Sequence, residues 1–194
     1  MVCSRTSEWK PIMPYDSIFS PDLFKGSTII VTGGGSGIGR CNAHELSGLG
    51  AHVVIMGRDE EKLSTVRDEI VSDGGMATYV VCDIRKEENV KDAVQRVLCD
   101  NGRIDGLVNN AGGQFRASLR DISTKGFEAV VRNNLTGGFI FMREVYTQWM
   151  AGIRPFGCSA QRNVEPHRNR SIRMVCIWSP GQRRRARCCG FKRI

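Results

Sequence analysis

Between Thr32 and Gly39 the chain reads Thr-Gly-Gly-Gly-Ser-Gly-Ile-Gly, a combination of residue types that can hold a phosphate. Glycines let the backbone turn tightly and let a pyrophosphate approach without meeting a Cβ. A helix starting at the end of such a run turns unpaired N–H groups and the positive end of its dipole toward an anion. A glycine run alone is equally compatible with a loop that binds nothing. Here the apolar, β-branched stretch Thr28 to Val31 leads straight into it and a helical pattern leads out. Strand, glycine turn and helix in that order are what the phosphate mechanism requires.

The elements that must position this turn follow from the hydrophobic pattern. The first helix runs to about Leu49 and is closed by Gly50. His52 to Met56 is a second short strand. Glu60 to Val71 is a helix with Leu63, Val66, Ile70 and Val71 on one face, and Ala77 to Val81 is a third strand. Lys86 to Cys99 places Val90, Ala93, Val94, Val97 and Leu98 at i, i+3, i+4, i+7 and i+8. Ile104 to Val108 is a fourth strand. Thr124 to Met150 is a long helix with Phe127, Val130, Val131, Leu135, Met142, Val145, Tyr146 and Trp149 near one stripe. This alternation predicts an α/β fold, a doubly wound parallel sheet of Rossmann-like type. Ligands of such sheets bind at the carboxyl ends of the strands, where strand order reverses.

Charge divides the chain. Its net charge of +8 is carried by residues 151–194, which hold eleven basic residues against the single acid Glu165, so residues 1–150 are slightly acidic. The basic balance is therefore no argument that the N-terminal domain binds nucleic acid. Residues 1–21 read as an N-terminal extension, 22–150 as the domain, and 151–194 as a basic, Arg- and Cys-rich tail. No apolar run approaches the ~18 residues of a membrane helix, so no membrane partner is expected. Met1 to Ser20 lacks the apolar core of a secretory signal, and Phe191 to Ile194 is not a Ser-Lys-Leu type address. Eight cysteines without a Cys-x-x-Cys, and three histidines without ligand spacing, predict reduced thiols in a cytoplasmic protein and no metal.

Four segments carry a resemblance. Thr32 to Gly39 has the Thr-Gly-x-x-x-Gly-x-Gly form of the short-chain dehydrogenase/reductase family. Asn109-Asn-Ala-Gly112 is similar to its strand-four motif, Cys82-Asp83-Ile84 to its acid and apolar pair after strand three, and Asn133-Asn-Leu-Thr-Gly137 to its active-site asparagine segment. Within the family, Pro21 to Gly26, Asn110 to Phe115 and Gln148 to Met150 most resemble the branch of peroxisomal trans-2-enoyl-CoA reductases and citronellol dehydrogenases. The resemblance covers about residues 22–150. It implies an oxidoreductase that moves a hydride to or from a small lipid-like substrate, and a homo-oligomer. It implies that Gly33, Ser36, Gly37, Ile38 and Gly39 hold the cofactor's pyrophosphate and adjacent ribose. Asp83 and Ile84 would flank the adenine, and Asn110, Ala111 and Gly112 would shape the pocket beside the ribose. Asn134 would join a water-linked proton relay, and the branch leaves a peroxisomal location open. Without the family, Asp83 reads as a turn former before Arg85, and Asn134 as a locally bonded polar residue. Gly137 and Gly138, awkward inside a helix, point to close packing there.

Cofactor choice turns on Met56-Gly-Arg-Asp59. An acid at the end of strand two would accept bonds from an unphosphorylated ribose and repel a 2′-phosphate. Gly57 takes that place, and Arg58 offers a donor fork suited to phosphate. Asp59 argues the other way unless it caps the next helix. NADP(H) is expected over NAD(H).

The tail departs from the family. A proton-donating Tyr with a Lys four residues on would be expected beyond residue 165, yet the last tyrosine is Tyr146, followed at the fourth position by Met150. The family fold also needs three more strands and two long helices, which 44 residues cannot build; the C-terminal part reads as truncated or replaced. One apolar stretch, Ile172 to Trp178, reads as a strand, and Ser179 after it mimics a catalytic serine only by coincidence. A frame change or alternative transcript near residue 150 is the preferred account of the tail. A nucleic-acid arm built on Arg183 to Arg187, and a solvated tail without function, are the others. The competing functional class is a non-catalytic nucleotide-binding fragment.

Overall fold

The computed structural model describes residues 18–20, 22–151 and 173–175. The rest of the expected extension and tail, Ser179 and the arginine cluster included, lies outside the described residues.

Strands β1 (Thr28–Thr32), β2 (His52–Gly57), β3 (Met76–Val81), β4 (Gly106–Val108) and β5 (Arg173–Val175) form one sheet in the order β3-β2-β1-β4-β5. Every pairing is parallel. The order runs outward in both directions from β1, so the reversal point lies between β1 and β4. β5 belongs to the 172–178 stretch that sequence marks as a strand, and it lies beside β4, with Leu107 opposite Met174.

The sheet is covered on both faces because β1 and β2 are apolar at every central position, as a strand buried on both sides must be. Successive side chains point to opposite faces. Ile30, Val54 and Met56 enter one core with Val90, Ala93, Val94 and Val97 of helix α3 (Glu87–Asn101). Ile29, Val31, Val53 and Ile55 enter the other with Ala43 of helix α1 (Gly37–Gly48) and Leu63, Val66 and Ile70 of helix α2 (Glu60–Ser72). Val71, expected on the buried face of α2, is 51% exposed. One residue past Ile70 is a rotation of about 100°, which carries it off the stripe.

The long helix expected from Thr124 is one run with a change of pitch. Helix α4 (Thr124–Val131) passes through a π turn (Arg132–Thr136) into helix α5 (Gly137–Ala151). The π turn inserts a residue into the helical ladder and rotates everything after it. The single expected stripe is thereby split. Ile140, Phe141 and Val145 are buried against α3, while Phe127, Leu135 and Tyr146 are exposed. Gly137 is buried where a Cβ would press on Ile84, and the Gly138 carbonyl accepts from Asn109 Nδ2 at 2.8 Å. The close packing read from these glycines is thus present.

Candidate functional site

β1 ends in Thr32, whose hydroxyl is fully buried at the β1–β4 junction. Its Oγ1 donates to the Val108 carbonyl at 3.3 Å and accepts from the N–H groups of Asn110 and Ala111, each at 3.0 Å. Asn110 Nδ2 returns a bond to the Thr32 carbonyl at 2.9 Å. The ends of the two strands that flank the reversal point are therefore locked together, and the loops that leave them face one cleft.

The glycine turn is shaped for this place. Gly33 and Gly37 have φ of +68° and +54°, which L side chains rarely adopt. Gly39, in the first turn of α1, is buried where a Cβ would collide with the Gly33 carbonyl and Asn110 Nδ2. Ser36 is the N-cap of α1, but its hydroxyl makes no capping bond. The first turn of α1 carries no acidic residue, whereas α2 begins with Glu60 and Glu61 and α3 with Glu87 and Glu88. Acids in a first turn answer the helix dipole. α1 alone of these three leaves its positive end unanswered, and that end faces the cleft.

The cleft encloses about 640 Å³. Of the residues expected from sequence, Gly33, Ser36, Arg58, Asp83, Ile84, Asn110, Ala111 and Gly112 line it. Gly37, Ile38, Gly39 and Asn134 do not. Ile38 projects to the exterior at 52% exposure, and Gly39 acts beneath the turn by its lack of a side chain. Asn134 sits in the π turn behind the cleft wall. Asn133 lines the cleft instead. Both asparagines are visible in the sequence, but which one faces the cleft depends on the π turn, which no local pattern announced. Lys62 is a second lining residue that sequence reasoning passed over; its place in the first turn of α2, just after the end of β2, was the available signal.

Charge in the cleft is arranged around β2 and β3. Asp59 is the N-cap of α2, its Oδ1 accepting from Lys62 N at 3.3 Å, while its Oδ2 lies 2.6 Å from Lys62 Nζ. Its carboxylate is thus committed to the helix start, as a capping role requires. Asp83 is gripped by Arg85, with Nε to Oδ1 at 2.8 Å and Nη2 to Oδ2 at 2.6 Å. Those bonds from Arg85 hold its carboxyl at about 2. Asp83 also accepts from the Arg85 N–H at 3.1 Å, so the turn-forming reading is realised and does not remove it from the cleft. Burial pushes the Cys82 thiol up to about 12, which keeps it protonated and inert as a nucleophile. Among the described residues no group of three His, Cys, Asp or Glu side chains could hold a metal ion. No described helix is long and apolar enough to cross a membrane.

A cleft of this form, with backbone donors at one helix start and cations at the end of β2, can hold a phosphorylated dinucleotide. Comparison with known proteins points the same way. Residues 27–155 match the family described as short chain dehydrogenase. A peroxisomal 2,4-dienoyl-CoA reductase of Danio rerio is 35% identical over 136 residues, 70% of this chain and 45% of that protein. The solved citronellol catabolism dehydrogenase of Pseudomonas aeruginosa PAO1 is 60% identical, with a TM-score of 0.66 over 69% of this chain and 55% of that one. Similar solved structures include an NAD+-bound xylitol dehydrogenase (33% identity, TM-score 0.64, 67% and 50% coverage) and a metagenomic short-chain oxidoreductase in complex with NADP (36%, 0.62, 66% and 59%). The chain spans about half the length of the curated relatives it matches. With the matched motifs at the carboxyl ends of β1, β3 and β4, this chain belongs to the short-chain dehydrogenase family of oxidoreductases.

Proposed function

We propose that residues 22–150 bind NADP(H) in preference to NAD(H), in the service of an oxidoreductase acting on a small lipid-like substrate. The substrate would be of the enoyl-CoA reductase type or the terpenoid alcohol dehydrogenase type, a reading supported by the 2,4-dienoyl-CoA reductase and the citronellol catabolism dehydrogenase among the similar proteins. The bound dinucleotide would supply the hydride. The glycine turn and the N-terminus of α1 would hold its pyrophosphate. Ile84 and Asp83 would border the adenine, and Asn110, Ala111 and Gly112 the ribose. Asn134 would hold the loop after β4 in place and contribute to proton transfer through water. For the compartment, the cytoplasm remains the expectation, with the peroxisome, named for relatives from Danio rerio and Arabidopsis thaliana, as the alternative.

One observation carries the cofactor reading. Arg58 lines the cleft at the end of β2 beside Gly57; the acid next to it in sequence, Asp59, is engaged by α2 and Lys62, and Asp83 is held by Arg85. A ribose phosphate placed there meets a guanidinium rather than a free carboxylate. Titration of the protein with NADPH and NADH tests it: tighter NADPH binding is expected, and equal affinities or a preference for NADH would reject it.

A second reading, a nucleotide-binding protein without catalysis, is favoured by one feature of the sequence. No tyrosine follows Tyr146, so the residue that completes reduction in the family has no candidate in this chain.

A further inference from the structure

A second depression of about 470 Å³ opens where Asp83 leaves the cofactor cleft; Asp83 lines both. One wall is the β3–α3 turn, with Arg85 and Lys86. The other is α4 and the start of the π turn, with Lys125, Glu128 and Arg132 at i, i+3 and i+7 on one helix face. Arg85 neutralises Asp83 across the short bidentate bonds described above. The side chains of Lys86, Lys125 and Arg132 make no ion pair with another described residue. Three uncommitted cations therefore face one carboxylate, Glu128, in a concave site. Such a surplus fits a ligand carrying more than one phosphate.

We propose that this groove holds the phosphates of a coenzyme A thioester, so that the substrate reaches the chain as its CoA ester and not as a free alcohol. The inference rests on the oxidoreductase reading above and decides between its two substrate classes. The direction of α4 supports it. The helix that carries Lys125 and Arg132 runs straight into Asn133, at the cofactor cleft, and Asn134, at the loop after β4. A ligand anchored by its phosphates at the first turns of α4 can extend a flexible arm along this helix to the cleft. A terpenoid alcohol has no phosphate to match these cations.

The test titrates the full chain with CoA, 3′-dephospho-CoA and inorganic phosphate, each with and without saturating NADPH. CoA is expected to bind alongside NADPH, and more tightly than 3′-dephospho-CoA or phosphate. The Lys125→Ala/Arg132→Ala variant is expected to weaken CoA by about tenfold or more, the loss of charge-assisted contacts. It should leave NADPH affinity within about twofold, and the charge-preserving Lys125→Arg/Arg132→Lys variant should bind CoA more tightly than the alanine pair does. Lys125 and Arg132 are both exposed, so folding is not at stake. Displacement of CoA by NADPH would place it in the cofactor cleft and overturn the proposal. So would indifference of CoA to the alanine pair, or inorganic phosphate binding as tightly as CoA. Loss of NADPH binding with CoA still dependent on Lys125 and Arg132 would reject the cofactor reading and keep the groove. NADPH binding without CoA binding would do the reverse.

Discussion

Asn134 holds Gly113 by both of its backbone polar groups. Its Oδ1 accepts from Gly113 N at 3.0 Å, and its Nδ2 donates to the Gly113 carbonyl at 2.7 Å and to the Val130 carbonyl at 2.8 Å. From the π turn this amide reaches back to a carbonyl of α4 and across to the loop that leaves β4. One side chain thus joins a helix defect to the edge of the candidate cofactor cleft.

Substitution of Asn134 should therefore unpin the loop. Asn134→Ala is expected to cost about 1–3 kcal/mol of stability, since the partner groups lose their bonds. Asn134→Asp should be worse, because a carboxylate would then face the Gly113 and Val130 carbonyls. Denaturant unfolding of the three proteins checks the order. An aspartate variant as stable as wild type would show that the clamp contributes nothing.

Two of the three glycines of α1, Gly39 and Gly48, make an internal control. A Cβ at Gly39 meets the Gly33 carbonyl and Asn110, while a Cβ at Gly48 meets nothing within 4 Å. Gly39→Ala should destabilise by about 1–3 kcal/mol and widen the turn enough to weaken dinucleotide binding. Gly48→Ala should be neutral or stabilising by up to about 1 kcal/mol. Thermal melts and an NADPH titration on both variants separate crowding at the turn from helix propensity.

Arg58→Ala should cost NADPH about 1.5–3 kcal/mol in binding and leave NADH nearly unchanged. The comparison of four dissociation constants is decisive here. Equal losses for the two cofactors would mean that Arg58 meets a part of the dinucleotide common to both.

The Asp83–Arg85 pair predicts a window of acid sensitivity. Bonds from Arg85 lower the Asp83 carboxyl from its ordinary 3.8 to about 2 in the folded chain. A carboxyl lowered by folding stabilises in full above its unfolded value and loses that contribution as pH falls toward the folded one. The stability difference between wild type and Asp83→Asn should then be constant above pH 5 and shrink between pH 4 and about 2. His52, lowered by burial, acts in a separate window that opens as pH falls through 6.5. A difference that does not change with pH would rule out the pair as the cause.

The exposed ridge of the long helix predicts self-association. Leu135, Phe139 and Tyr146 are 69%, 52% and 50% exposed, at i, i+4 and i+11. Each large side chain left in water forgoes roughly 1.5–3 kcal/mol. Sedimentation should show a concentration-dependent dimer or larger species that Leu135→Glu dissolves. Turnover with NADPH and enoyl-CoAs or aldehydes is expected to fall below about 1 s⁻¹, the low end for enzymes, because no tyrosine follows Tyr146. A monomer at all concentrations, or turnover above that rate, would count against these readings.

The glycine turn, the alternation of strands and helices, and the placement of Asp83, Asn110 and Arg58 at strand ends were all legible in the residues. Those features depend on short-range rules: β-branched runs make strands, glycine permits positive φ, and period 3.6 marks helices. Strand order does not follow from those rules, since parallel crossovers also permit other orders; the cleft between β1 and β4 could be anticipated only because the glycine turn and Asn109 to Gly112 point to the dinucleotide-binding order. The π turn could not. Its extra residue is held by Asn134 and Gly113, which are 21 positions apart, and by the burial of Phe141 against α3. That one residue rotates α5, exposes Leu135 and Tyr146, buries Val145, and brings Asn133 rather than Asn134 to the cleft. Likewise Lys86 and Arg132 share a groove only because α4 packs beside the β3–α3 turn. Patterns within a segment reveal which faces are apolar, but the phase between segments is set by contacts across the fold, where packing and hydrogen bonding outweigh local preference.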